Sequence, residues 1–202
     1  MIYKLVCAGN DSFSSLYKKD QNEIIIAVDG GYDILMKNNI KPYYFFGDKD
    51  SLLNKNIDSE KIYEYNSIKD DSDFDLVIKF LINELKIKES DYIYVYNATG
   101  GRLDHYQAII NSLVNYSSYK IIINDLNNKI YMSDYSMIIN KNDYKYISFF
   151  SFDDDTIISL SGMKYNIENY NLKNRDNLCL SNEIIDEGRI IANKKVLVFQ
   201  SK

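Results

Sequence analysis

The sequence predicts two domains of different class: an α/β domain with a mostly parallel sheet and flanking helices, then a small antiparallel β-sandwich. Three observations carry this reading. From residue 2 to about 124, short β-type runs alternate with segments of helical character, the order that builds a parallel sheet covered by helices. After Asp125-Leu126-Asn127-Asn128 the helical period disappears and β-type runs follow at short intervals. At 202 residues and 46% hydrophobic content, the chain has enough apolar material for ordinary packed cores. The domains are placed at 1–125 and 126–202 on the change of period alone, because no repeat or Pro/Gly-rich linker marks the boundary.

In chain order, strands are expected over Ile2–Cys7, Ile24–Val28, Tyr43–Phe46, Lys61–Tyr65, Tyr92–Tyr96 and Lys120–Ile123. The clearest helix runs from about Ser72 to Lys86. Phe74, Val77, Ile78, Leu81 and Leu85 recur at three- and four-residue spacings, and Ser72 with Asp75 forms a capping box. A second helix starts near Asp104, with Tyr106, Ile109, Ile110, Leu113 and Val114 as its apolar stripe. The second domain is expected to use Lys129–Met132, Met137–Ile139, Tyr146–Ser151, Thr156–Leu160, Leu178–Leu180, Arg189–Ala192 and Val196–Phe199.

Charge narrows the function. With 24 basic and 29 acidic residues the net charge is −5, which argues against a binder of nucleic-acid backbones. Residues 48 to 75 alone hold nine acidic side chains against four lysines, so acid is concentrated in one segment. The N-terminal apolar run is too short for a signal peptide and no stretch of about 18 apolar residues spans a membrane, so a cytoplasmic protein is expected. Cys7 and Cys179 sit in apolar contexts, without Cys or His at zinc spacing, and read as buried free thiols.

Ligands of open α/β sheets bind beyond the carboxyl ends of the strands, so the residues after each strand are the candidates. They are Asp29-Gly30-Gly31, Gly47-Asp48-Lys49-Asp50-Ser51, Lys69-Asp70-Asp71-Ser72-Asp73 and Thr99-Gly100-Gly101-Arg102-Leu103-Asp104-His105. Carboxylates on adjacent loops suit Mg²⁺, whose ligands are hard oxygens. A Gly-Gly-Arg turn feeding a helix offers free backbone N–H groups, a positive dipole end and a forked cation, which together suit a phosphate. Each group also has a plainer reading: Asp70, Ser72 and Asp104 as helix caps, Arg102 as a surface ion-pair partner, His105 as a structural hydrogen bonder.

These motifs resemble, in order and approximate spacing, those of the thiamin pyrophosphokinases (thiamin diphosphokinases). The resemblance includes Val28-Asp29-Gly30-Gly31, Lys41-Pro42 and the three later loops, and it continues in the second domain at Gly162-Met163-Lys164-Tyr165 and Leu180-Ser181-Asn182-Glu183. The sequence departs from the family pattern at Lys49 between the two aspartates, Ser72 for Thr, Asn97 where Gly is common and Asn166 for Pro. Lys49 either competes for the carboxylates or reaches a phosphate.

The resemblance implies transfer of a pyrophosphoryl group from ATP to the hydroxyl of thiamin, giving thiamin pyrophosphate and AMP. It assigns Asp48, Asp50 and Asp73 to Mg²⁺, Arg102 and Lys69 to phosphates, and Asp29, Gly30, Gly31, Gly100 and Gly101 to the ATP side. Asp104 either orients Arg102 or acts at the substrate hydroxyl. Tyr165, Ser181 and Asn182 fall to thiamin, in a homodimer whose thiamin cleft lies between the α/β domain of one subunit and the β domain of the other. No nucleic-acid or membrane partner is implied. Two rivals stand beside this reading. One is a Mg²⁺-dependent phosphohydrolase with an Asp-x-Asp loop, weakened because Cys7-Ala8-Gly9-Asn10 follows the first strand. The other is a thiamin- or nucleotide-binding sensor without turnover.

Overall fold

The run Ile2–Val6 forms β1, the central strand of the first unit, and four of its five residues are buried. A computed structural model of the protein describes residues 1–48, 56–64 and 71–202. It divides into two compact units, Met1–Leu126 and Asn127–Lys202. In the first, β1 is followed by α1 (Phe13–Leu16), β2 (Glu23–Val28), α2 (Gly31–Lys37), β3 (Tyr44–Gly47), β4 (Lys61–Glu64), α3 (Asp73–Asn83), β5 (Tyr92–Tyr96), α4 (Leu103–Asn115) and β6 (Lys120–Asn124). These six strands lie in the order β4-β3-β2-β1-β5-β6, and all pairs are parallel. Strand order reverses direction between β1 and β5, the point where open α/β sheets hold their ligands.

The parallel sheet needs cover on both faces, which explains its near-continuous apolar strands such as Tyr-Phe-Phe-Gly and Glu-Ile-Ile-Ile-Ala-Val. Val6, Phe13, Ala27, Leu35 and Phe45 form one fully buried cluster. Lys4 is the exception in β1: it is 2% exposed, with its ammonium paired to Asp20 at 2.6 Å and Glu23 at 2.6 Å and bonded to the Lys18 carbonyl. Burying a charge this deeply is tolerable only because the partners come with it.

Helix α2 starts where its chain touches β1. A Cβ on Gly31 would fall 1.8 Å from the Val6 carbonyl oxygen, so no side chain fits between helix and strand. Gly31→Ala is therefore expected to cost about 2–3 kcal/mol by overpacking against backbone, read as a lower urea midpoint with an unchanged m-value.

Helix α3 opens at its expected cap: the Ser72 hydroxyl accepts from the Asp75 N–H at 3.1 Å and donates to the Asp75 carboxylate at 3.0 Å. It ends at Asn83, three residues short of the expected Lys86. Lys86 takes φ 50, while the N–H groups of Leu85 and Ile87 turn back to Phe80 and Leu81.

The second unit holds β7 (Asn128–Met132), β8 (Ser136–Asn140), β9 (Tyr146–Phe150), β10 (Thr156–Met163), β11 (Ile167–Leu172), β12 (Ile184–Ala192) and β13 (Leu197–Ser201). They form two antiparallel groups, β7-β13-β9 and β11-β10-β12-β8. Two expectations need correction. Leu178–Leu180 is a turn, because the Asp176 carboxylate accepts from the Leu178 N–H at 2.9 Å and the Leu180 N–H returns to Asn177. A strand absent from the expected set, β11, pairs with β10 and bulges near Asn169, which takes φ 48. Both cysteines are buried and free, as expected. No helix among the described residues is long and apolar enough to cross a membrane.

Candidate active site

At the carboxyl ends of β1, β2 and β5 the first unit encloses a cavity of about 390 Å³. Its walls combine Cys7, Ala8 and Gly9 after β1 and Asp29 after β2. Ser72, Asp73 and Phe74 at the start of α3 and Asn97, Thr99, Gly101, Arg102 and His105 around the start of α4 complete it. Acidic groups and a Gly-Arg turn thus line one space, together with Ala108 and Ile109.

Local structure explains the placement of each group. Asp73 is the first residue of α3, where the dipole favours a carboxylate. Asp75 locks this end of α3 to α4 by accepting from the buried Ser112 hydroxyl at 2.6 Å. Asp29 has φ 49, and its carboxylate lies over Gly47, whose Cβ would come within 2.3 Å of Asp29 Oδ1. Asp48 is the next residue, so the loops after β2 and β3 meet here. Gly100 holds φ 71, a conformation that favours glycine, and a Cβ there would meet the Asn10 side chain at 2.2 Å. Thr99 donates to Asp125 at 2.8 Å and steadies the same loop.

Arg102 and Asp104 are both exposed and form a two-point pair, with Nε at 3.2 Å and Nη2 at 2.6 Å from the carboxylate oxygens. The hydrogen bonds from Arg102 hold the Asp104 carboxyl down to about 2. A carboxylate so stabilised is a poor base, which favours its role in orienting Arg102.

Oxygen donors dominate the acidic side, which suits a hard divalent cation. The Cys7 thiol in the same wall is pushed up to about 12 by burial, with the Asp29 charge adding to it. Of the expected ligand set, Asp48 and Asp73 are described, whereas Asp50 lies outside the described residues, as do Lys49, Ser51, Lys69 and Asp70. Among the described residues no group of three or more His, Cys, Asp or Glu is gathered closely enough to hold a metal ion. Asp71 pairs with Lys79 at 2.6 Å. Gly31 packs on β1, and neither it nor Gly30 is in the cavity wall, which Asp29 reaches.

In the second unit, Tyr165 and Ser181 are exposed and Asn182 is 3% exposed. The Asn182 amide is committed to the backbone of Tyr165. Its Oδ1 accepts from the Tyr165 N–H at 3.0 Å, and its Nδ2 donates to the Tyr165 carbonyl at 2.7 Å. Ser181 takes φ 57, and its N–H donates to the Ser148 hydroxyl at 2.9 Å. Residues 165 and 182 are thereby fixed to each other.

The wall contributed by Cys7, Ala8 and Gly9 was missed by sequence reasoning, which looked for polar loops. Its position after the first strand was the available signal.

Comparison with known proteins agrees with this architecture. Residues 16–124 match the thiamin pyrophosphokinase catalytic domain, and residues 136–197 match the thiamin pyrophosphokinase vitamin B1 binding domain. The thiamine pyrophosphokinase of Bacillus subtilis (strain 168) is 32% identical over 177 residues, covering 82% of this chain and 80% of the relative. The crystal structure of thiamine pyrophosphokinase from Bacillus subtilis superposes with a TM-score of 0.85 at 26% identity, covering 100% of this chain and 99% of that one. Thiamin pyrophosphokinase from Candida albicans, at 19% identity and a TM-score of 0.79, covers 100% of this chain and 89% of its own and shares the fold. From its motifs, its cavity and these matches across both units, the chain belongs to the thiamin pyrophosphokinase family.

Proposed function

We propose that the protein transfers the terminal pyrophosphoryl group of ATP to the hydroxyl oxygen of thiamin. The observation that carries this reading is the cavity at the switch point, whose wall includes Asp29 and Asp73 together with Gly101 and Arg102. The thiamin oxygen forms a bond to the β-phosphorus while the bond from that phosphorus to the α-phosphate oxygen breaks, releasing AMP and the hydroxyl proton. Negative charge builds on the phosphoryl oxygens and the departing AMP, so positioned charges supply most of the catalysis.

Asp48, Asp50 and Asp73 would hold Mg²⁺, which when bound supplies positive charge to the phosphate oxygens. Arg102 grips a phosphate with its fork, and Asp104 orients that fork. Lys69 supplies a further cation to the phosphates. Asp29 serves the nucleotide side, positioned by the Gly30-Gly31 turn that follows it, and Gly101 of the cavity wall, with Gly100 shaping its turn, offers backbone N–H groups to the phosphates. Thiamin carries a cationic thiazolium, which the acidic segment favours. Formation of AMP from ATP only when thiamin is present tests the reading. AMP production without thiamin would contradict it.

Tyr165, Ser181 and Asn182 are proposed to bind thiamin, with Asn182 acting through the backbone of Tyr165. Asn182→Ala should raise the KM for thiamin about tenfold or more and leave the KM for ATP nearly unchanged. Steady-state kinetics with each substrate varied checks this, and an unchanged thiamin KM would remove the segment from the site. The protein is further proposed to act as a homodimer in which one copy supplies these residues to the other. Mixing inactive Asp48→Asn protein with an inactive Ser181→Ala/Asn182→Ala protein should then restore activity once subunit exchange is demonstrated with differently tagged chains. No recovery despite exchange would mean that each chain builds its own thiamin site.

A further inference from the structure

Asn97 is the residue of the cavity wall whose side chain is half used. It follows β5 with φ 58, a conformation that Asn tolerates better than most residues, and it is 1% exposed. Its Oδ1 accepts from the Ser12 N–H at 2.8 Å, the Ser12 hydroxyl at 3.1 Å and the Phe13 N–H at 2.9 Å. Backbone N–H groups can only donate, so the amide orientation is settled: oxygen faces α1 and nitrogen faces away. The Asn97 carbonyl also accepts from the Gly9 N–H at 2.8 Å, and the Thr99 carbonyl from the Asn10 N–H at 3.0 Å. One residue therefore caps α1 from outside and ties the loop after β1 to the loop that carries Gly100, Gly101 and Arg102.

The other half of the amide has no such account. Asn97 Nδ2 is the buried side-chain polar atom without a hydrogen-bond partner among the described residues, in a residue that lines the cavity. A buried donor left unpaired is costly, and native proteins seldom keep one without a use. Glycine would satisfy the backbone angle equally well but would offer neither the cap nor the donor.

We infer that Asn97 is a nucleotide-positioning residue: its oxygen holds the Cys7–Ser12 loop as a wall of the cavity, and its Nδ2 donates to an acceptor atom of the bound nucleoside triphosphate. This rests on the nucleotide reading of the cavity. The acceptor is either on the nucleoside, as a ring nitrogen or ribose oxygen, or on the phosphate chain.

Two variants separate donor from cap. Asn97→Asp keeps an oxygen for Ser12 and Phe13 and exchanges the donor for an acceptor. Asn97→Gly keeps the backbone angle and removes both functions. Equilibrium binding of ATP without thiamin should weaken about fivefold or more in both variants, the usual effect of one lost hydrogen bond. The KM for thiamin should stay within about twofold, and the thermal midpoint should fall clearly only in Asn97→Gly, which loses the α1 cap. AMP and tripolyphosphate locate the acceptor: weakened AMP binding places it on the nucleoside or α-phosphate, and weakened tripolyphosphate binding places it on the phosphate chain. ATP binding equal to that of the unmodified protein in both variants overturns the inference while leaving the nucleotide reading intact. An unmodified protein that binds no ATP overturns both.

Discussion

Asp48→Asn, Asp50→Asn and Asp73→Asn should each lower kcat by at least about a hundredfold, because in the proposed reading each takes an anionic ligand from the Mg²⁺ that would offset the negative charge building on phosphate. Asp73 is the sharpest of the three. It opens α3, lines the cavity, and its helix is pinned by the Ser72–Asp75 cap and the Asp75–Ser112 bond, none of which uses the Asp73 carboxylate. Asp73→Asn should keep the far-ultraviolet spectrum of the unmodified protein, since the cap and the tie to α4 remain, while turnover collapses. Kinetics across a Mg²⁺ titration checks the assignment. A variant that turns over normally at limiting Mg²⁺ would remove that residue from the ligand set.

Arg102→Lys should be nearly as damaging as Arg102→Ala. The Arg102 side chain is exposed and spans two oxygens of Asp104 through Nε and Nη2, the two-point geometry that also matches a phosphate. An ammonium is a point charge and makes one such contact at a time. Arg102→Lys and Arg102→Ala should both lose about a hundredfold or more in kcat/KM for ATP, with thiamin KM affected far less. A lysine variant retaining most of the activity would reduce Arg102 to an electrostatic role.

How much of this was legible beforehand depends on how local the physics is. Helix α3 was readable from Phe74, Val77, Ile78 and Leu81, since burial of one helical face leaves a periodic trace. Its early end was not, because the turn at Lys86 is set by backbone bonds to Phe80 and Leu81. Leu178-Cys179-Leu180 imitated a strand by its apolar character, yet only Cys179 is buried, and Leu178 and Leu180 are more than half exposed. Strand β11 carried the opposite disguise: Glu168, Asn169 and Asn171 face solvent on a strand held mainly by its backbone pairing to β10.

The site shows the same division. The acidic loops and Gly100-Gly101-Arg102 announce themselves because their chemistry lies in side chains and turn residues placed after strands. The wall at Cys7, Ala8 and Gly9 has no such signature. The cap that Asn97 provides to Ser12 and Phe13 bridges 85 and 84 residues of sequence and exists only once β1 and β5 lie side by side. Asn182 was singled out in the sequence, but its engagement with the Tyr165 backbone was not legible there.

The most direct test of pyrophosphoryl transfer follows the phosphorus atoms. The protein is incubated with Mg²⁺, thiamin and ATP labelled separately at the β and γ positions, and the products are resolved. Both labels should appear in thiamin pyrophosphate, in equal amounts, with one AMP formed per product and no accumulation of ADP or thiamin monophosphate. Label entering from the γ position alone, with ADP as the nucleotide product, would contradict the account and indicate stepwise transfer of single phosphoryl groups.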